Sequence, residues 1–457
     1  MRHLYFPLIV LAAWLVWGCD SFVAPPAAGA DPALQVAETV YKGLVDPLFE
    51  STAGAKAVAL GDIDNDGLMD VVSISSESQP VQIHLRNAAT GAFDLISIAG
   101  GGPLAIMEDV ALADFNGDGK LDIAVLVHDT GLVVPDDWQE DKIAALVLLI
   151  QGADPRNPAD WTQVDSYRAY GQKPLCALEP PGASSCDMFM LSGIVGATDM
   201  EVGDFTNDGL PDVMVICNRR DKPQDPVTKF VYLFANPGAA LAADDAQWHR
   251  QVVAADAPDF ARLGSADLDK DGSLDAILTM PTGKSFNISW LRNVANGTFW
   301  ERVFLAQHQN GGNVIAGGDI DGDGHVDVAA GSAELLSVQW FRNPGPAWLQ
   351  ASSPQIPWEV YNLAQISGAK IDQVQLADLN GDGRLDCFLT AEGTAFAFYR
   401  GSDVEQAWTG SAMFLADPPG TIGRVGFLEV NNAGLIDIIA PVDRAGVSQD
   451  QIVIFWR

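Results

Sequence analysis

A nine-residue acidic pattern, D-x-D-x-D-G-x-x-D in its fullest form, recurs along this chain and limits its fold more than any other feature. The first copy is Asp62-Ile63-Asp64-Asn65-Asp66-Gly67-Leu68-Met69-Asp70. Further copies run from Asp114 to Asp122, Asp204 to Asp212, Asp267 to Asp275, Asp319 to Asp327 and Asp378 to Asp386, with a worn one from Glu429 to Asp437. Their starts lie 52, 90, 63, 52, 59 and 51 residues apart, and self-similarity at such a period marks a repeat architecture.

The pattern supplies what a hard cation needs from a short loop. Calcium takes six to eight oxygens, and alternate side chains of a turn can converge on one ion. The first positions hold Asp62, Asp114, Asp204, Asp267, Asp319 and Asp378, and the third hold Asp64, Asn116, Thr206, Asp269, Asp321 and Asn380. The fifth hold Asp66, Asp118, Asp208, Asp271, Asp323 and Asp382, and the ninth, expected to close the cage, hold Asp70, Asp122, Asp212, Asp275, Asp327 and Asp386. Glycine at the sixth position permits a sharp turn with positive φ. The seventh position varies freely as Leu68, Lys120, Leu210, Ser273, His325 and Arg384, as suits a residue that ligates through its backbone carbonyl. That reading also disposes of His325 as an imidazole ligand. About six Ca²⁺ ions are expected, because Ala433 stands at the fifth position of the seventh copy.

An EF-hand would need flanking helices and a bidentate Glu at the twelfth position. Here the twelfth positions hold residues such as Ser73, Val125 and Val215, and the flanks Ala57-Val58-Ala59-Leu60 and Val71-Val72-Ser73-Ile74 are β-rich. Each loop therefore joins two strands. Third strands are expected at Phe230 to Phe234, Ile288 to Leu291, Val338 to Phe341 and Ala395 to Tyr399, and fourth strands open with Phe93, Trp161, Trp248, Trp300, Trp358 and Trp408, which should pack between units. Four short strands per unit predict an all-β protein, a seven-bladed β-propeller with four-stranded blades and calcium-binding hairpin loops. The last unit stops at its third strand, so a segment within residues 43–50 is expected to complete it and close the ring.

These loops and units resemble FG-GAP or VCBS repeats, the calcium-loop blades of integrin α-subunit heads and of many exported bacterial proteins, over about residues 43–457. The resemblance implies Ca²⁺ in the hairpin between the first two strands of each blade. It also implies two functional classes: a non-enzymatic protein- or glycan-binding or adhesion module, or a polysaccharide lyase or hydrolase, since rhamnogalacturonan lyases are built on similar propellers. No catalytic motif supports the enzyme; His84, His128, His249 and His308 are scattered, and most acidic clusters belong to loops. An enzyme would need a further titratable cluster at the centre of the ring.

The formal net charge is −34. Six divalent ions would remove 12 of those charges, and the remainder argues against nucleic acid or an anionic membrane surface as partner. Residues 1–19, with Arg2 and His3 before apolar Leu4 to Trp17, read as an export signal. Leu15-Val16-Trp17-Gly18-Cys19 resembles a bacterial lipobox, which would lipidate Cys19 and anchor the chain in the cell envelope; simple secretion is the alternative. Residues 20–42, rich in Ala and Pro, read as a tether. Cys176 and Cys186 flank a Pro/Gly/Ser-rich loop as a natural disulfide pair, and Cys217 and Cys387 read as buried thiols. A monomer is expected. The second unit carries two insertions, about residues 129–142 and 169–197, expected on the face opposite the metal loops, and Trp138 and Tyr170 within them, with Tyr167 just before the second, are candidate ligand contacts.

Overall fold

The computed structural model describes residues 35–39, 54–76, 80–90, 92–98, 106–129, 143–165, 194–219, 228–244, 247–257, 262–280, 286–308, 312–332, 337–347, 358–366, 370–406, 408–415, 420–428, 436–444 and 451–456. Cys19, the tether outside 35–39, residues 43–50, Trp138, Tyr167, Tyr170, Cys176, Cys186 and the seventh loop lie outside them.

The strands form seven antiparallel blades in a propeller. Blade 1 is Ala55–Gly61, Asp70–Ser75, Val81–Arg86 and Phe93–Ile98, and the meander recurs through blade 6, which ends with Thr409–Leu415. In every blade the second strand begins on the ninth-position aspartate, from Asp70 to Asp386 and on to Asp437. Burial follows position in the blade. The second strands Asp70–Ser75 and Asp386–Ala391 are buried at every residue, as apolar runs covered on both faces should be, whereas the outermost Glu359–Gln365 is largely exposed.

The apolar core lies between blades. Ile83 and Leu85 of blade 1 pack with Val125 and Val147 of blade 2, and Trp340 of blade 5 packs with Leu389 and Phe398 of blade 6. The expected tryptophans occupy these seams: Trp161, Trp248, Trp358 and Trp408 are buried, and Trp300 packs against its cluster partly buried. In three blades the tryptophan directly precedes the strand it was expected to open, since those strands begin at His249, Glu359 and Thr409. A buried indole N–H needs an acceptor. Trp161 donates to the Pro155 carbonyl at 3.1 Å, Trp248 to Ala242 at 2.9 Å and Trp300 to Gly297 at 2.9 Å, each fastening the turn before the fourth strand. Cys217 and Cys387 are buried thiols, as expected.

Ring closure needs a correction. The fourth strand of blade 7 is Gln35–Thr39, paired antiparallel with Gln451–Trp456 in the register Gln35↔Trp456 to Thr39↔Val453. The expected segment, 43–50, does not hold that place, and part of the expected tether does. The principle of closure by the amino-terminal segment stands, displaced by several residues. On the opposite side of that blade the innermost strand is broken into Gly420–Ile422 and Gly426–Leu428, both paired to Asp437–Arg444.

Candidate functional site

Six loops between first and second strands share one hydrogen-bonded geometry. The first-position carboxylate accepts the backbone N–H of the sixth position in all but its details: Asp62 from Gly67 at 2.9 Å, Asp267 from Gly272 at 2.9 Å, Asp319 from Gly324 at 2.9 Å. The fifth-position carboxylate accepts from the seventh residue, as Asp66 does from Leu68 and Asp323 from His325, both at 2.8 Å. The sixth-position glycines have φ between +79° and +90°. The fourth position is left-handed as well, at Asn65, Gly117, Asn207, Lys270, Gly322 and Gly381. Its recurrent Asn or Gly is a sequence signal for that conformation that the reading above passed over.

The donor set fits a hard cation. Oxygens of Asp62, Asp64 and Asp66 lie within 4.8 Å of one another, as do those of Asp267, Asp269 and Asp271, and those of Asp319, Asp321 and Asp327. In the first loop Asp64 is 3 % exposed and its Oδ1 is buried with no hydrogen-bond donor. A buried oxygen that no donor reaches calls for an ion or water. Three acidic triads can thus hold metal ions such as Ca²⁺. The other loops replace the third carboxylate by Asn116, Thr206 or Asn380, an oxygen without the charge.

The ninth-position aspartates have a role that sequence alone did not show. Each is fully buried, and each carboxylate accepts two backbone N–H groups. Asp70 accepts from Ile63 at 2.8 Å and Arg86 at 2.7 Å, Asp122 from Phe115 at 2.9 Å and Gln151 at 2.7 Å, and Asp275 from Leu268 at 3.0 Å and Asn293 at 2.8 Å. The carboxylate ties its own loop to the end of the third strand. Burial pushes Asp70, Asp212 and Asp386 up to about 6 and Asp122, Asp275 and Asp327 up to about 7, against those amide bonds.

The residue at that strand end also reaches the preceding blade. Gln151 donates from its side chain to the Ile63 carbonyl at 3.1 Å, Asn236 to Phe115 at 2.9 Å, Asn293 to Phe205 at 2.7 Å and Asn343 to Leu268 at 2.9 Å. Arg400 continues the series with a 3.2 Å bond to the Asp321 carbonyl. Loop, strand-end amide and buried aspartate thus alternate from blade to blade. The repeated Asn236-Pro237-Gly238 and Asn343-Pro344-Gly345 were the available signal.

A second constellation lies on the ring axis. The innermost strands enclose a cavity of about 570 Å³ whose lining includes Lys56, Ser76, Arg262, Lys370 and Asp443. Ser76 follows the second strand of blade 1 and Asp443 nears the end of that of blade 7, which places the cavity toward the face opposite the metal loops. Arg424 of blade 7 stands among three carboxylates of blades 2 and 3. Its Nη1 bonds Asp109 and lies 3.9 Å from Asp199 Oδ1, and its Nη2 lies 3.4 Å from Glu201 Oε1. Burial raises all three acids, Asp109 to about 6 and Glu201 to about 7, while the carboxylates, Asp109 first, stabilise the Arg424 charge. The Asp199 Oδ2 accepts the Leu263 N–H at 2.5 Å.

Glu201 makes the cluster testable. An acid raised in the folded state above its ordinary 4.5 makes its stabilising contribution at low pH and loses it as pH rises through 7. Glu201→Gln, which cannot ionise, is therefore expected to exceed the parent in stability by on the order of 1 kcal/mol at pH 8 and to match it nearly at pH 5. Thermal unfolding at the two pH values reads the difference, and a gap of equal size at both contradicts the assignment.

A family profile described as an FG-GAP-like repeat matches residues 62–125, 267–330 and 319–389, which span five of the six full loops and omit the one with Thr206. Comparison with curated proteins gives no match. Among solved structures, BBS1N in complex with ARL6DN, soaked with lead, is 10% identical, with 93% of this chain and 97% of that one covered at a TM-score of 0.48. The major Malassezia sympodialis allergen Mala s 1 is 11% identical, with 69% of this chain and 87% of that one covered at a TM-score of 0.38. Loop geometry, blade count and profile agree: the chain is a seven-bladed β-propeller that carries FG-GAP-like repeats over residues 62–125 and 267–389.

Proposed function

We propose that this protein is an exported, calcium-loaded propeller that acts as a non-enzymatic binding module for a protein or glycan at the cell surface, held in the envelope through Cys19. The axial cavity on the face opposite the metal loops carries the reading. The strands that bracket both insertions end on that same face: Asp122–Asp129 and Ile143–Gln151 around one, Trp161–Asp165 and Ile194–Gly203 around the other. A partner seated there meets a polar cavity on the face to which both insertions connect; the residues between the bracketing strands include Trp138, Tyr167 and Tyr170, and a Cys176 to Cys186 bridge is proposed to limit the entropy lost on ordering. Shortening residues 130–142 and 166–193 to tight turns is expected to abolish partner capture in glycan-array and pull-down comparisons while calcium loading stays intact. A loaded variant that keeps every interaction of the parent refutes the placement.

Six loops are proposed to hold one Ca²⁺ each, the first, third, fifth and ninth side chains and the seventh carbonyl providing oxygens. Asp323→Ala is expected to lower calcium stoichiometry by one, whereas changing Asn431 of the seventh loop leaves it unaltered. Metal analysis that finds seven tight ions in the parent overturns this ranking.

The enzyme reading gains one specific observation, the titratable cluster of Asp109, Asp199, Glu201 and Arg424 at the ring centre. An acid–base catalyst needs a carboxylate free to reach substrate. Here Arg424 faces all three and Arg262 acts on Asp109 and Asp199 as well, so the binding module is preferred. Polysaccharide cleavage by the parent that Glu201→Gln and Asp109→Asn abolish would reverse that preference.

A further inference from the structure

Wherever the third loop position is an aspartate, a guanidinium sits on it. Arg156 Nη2 lies 2.5 Å from Asp64 Oδ2, Arg292 Nε 2.5 Å from Asp269 Oδ2, and Arg342 Nη2 2.7 Å from Asp321 Oδ2. The three carboxylates are 3, 1 and 5 % exposed and their arginines 53, 21 and 36 %, so each pair sets a buried carboxylate against a guanidinium that still reaches solvent.

The repeats serve as one another's controls. Arg292 and Arg342 directly precede Asn293 and Asn343, the residues that cross to the neighbouring loop. In blades 2, 3 and 6, whose loops have Asn116, Thr206 and Asn380, the same place holds Ile150, Ala235 and Tyr399. Blade 1 has Asp64 but Leu85 at that place, and its guanidinium arrives from elsewhere, Arg156 in the turn before the fourth strand of blade 2. Two structural routes deliver a cation to the same position, and only where a carboxylate stands there.

The consequence is a nearly constant charge. The first, fourth and fifth loops each have four carboxylates with a guanidinium on the third-position one; the second, third and sixth have three carboxylates each, and Lys120, Lys270 and Arg384 add a cation within the second, fourth and sixth loops. Counted this way, the first, third and fifth loops each present three net negative charges. The second, fourth and sixth loops fall one lower, with Lys120 Nζ 3.5 Å from Asp118 in the second. In the first loop the arginine takes Oδ2 of Asp64 and leaves Oδ1 buried without a donor, so it neutralises the carboxylate while sparing an oxygen for the ion.

We propose that Arg156, Arg292 and Arg342 are specificity-determining residues of the metal loops, fixed counter-charges that match a four-carboxylate cage to a divalent cation and keep it from favouring ions of higher charge. The proposal rests on calcium loading of the loops. Its chemistry is Coulombic: at intermediate dielectric one unit charge at contact distance outweighs the differences among oxygen donors.

The full-length protein tests it by equilibrium dialysis with Ca²⁺ and by Tb³⁺ luminescence under Ca²⁺ competition. Asp269→Asn, which strands Arg292 beside the cage, is expected to weaken one calcium site by about tenfold or more. Adding Arg292→Gln returns the loop to the parent's net charge and is expected to restore that site to within about threefold of the parent. Arg292→Gln alone is expected to shift one site toward Tb³⁺ over Ca²⁺ by about tenfold. A double variant that binds no better than Asp269→Asn, or unchanged Tb³⁺ preference in Arg292→Gln, overturns the proposal and leaves calcium loading standing. A parent chain that binds no calcium overturns both.

Discussion

Removal of calcium with a chelator is expected to lower the thermal unfolding midpoint of this protein by about 10 °C or more. A ligand that binds only the native state adds roughly 2.7 kcal/mol per independent site at a hundred times its dissociation constant, so six loops would contribute roughly 16 kcal/mol. Even at ~1 °C per kcal/mol, a low conversion suited to so long a chain, the fall is large. The structure shows why it should be. Each loop gathers several carboxylates in one turn, and without a cation their mutual repulsion acts on the segment that supports the buried ninth-position aspartate and, through it, the third strand. Calorimetry of demonstrably metal-free protein checks the result, and an unchanged midpoint would contradict the reading of the loops.

A chain truncated to begin after residue 40 is expected to melt about 10 °C or more below one that begins at residue 33. The longer variant keeps Gln35–Thr39 and its ladder to Gln451–Trp456; the shorter one leaves Gln451–Trp456 as the unpaired outer edge of blade 7. An unpaired edge exposes donors and acceptors and invites association with other chains, so the shorter variant is also expected to aggregate on heating. Paired melting curves with light scattering read both effects. Equal midpoints would mean that the amino-terminal strand does not hold the ring.

The fold was legible because its information is local and repeated. Glycine at the sixth position, an oxygen at the third and β-branched runs on either side specify a hairpin without reference to distant residues, and each copy corroborates the rest. The closing strand was misplaced for a physical reason. Leu44 to Glu50 is the more apolar segment, but Pro47 within it cannot donate to a ladder, whereas Gln35-Val36-Ala37-Glu38-Thr39 has every amide available. The edge position demanded backbone pairing more than apolar content. The central cluster was not legible at all, since Asp109 and Arg424 are 315 residues apart and meet only because the ring closes. Between these extremes stand Arg292 and Asn293, a pair that recurs in blade 5 as Arg342 and Asn343 and whose roles become plain only when strand ends are seen against neighbouring loops.

The register of the closing pair also sets how the ring responds to force. Gln35 lies opposite Trp456 and Thr39 opposite Val453, so the two outward-leading ends of the chain leave the pair from the same side. Tension between them would part the strands like a zip, one rung at a time, instead of shearing all rungs at once. A load that pulls the body of the ring away from residue 34 acts on the same first rung. The seventh blade would then open at low force while the other six, each a continuous meander, remain shut. A protein built this way would give first at a joint that can re-pair when the load is released.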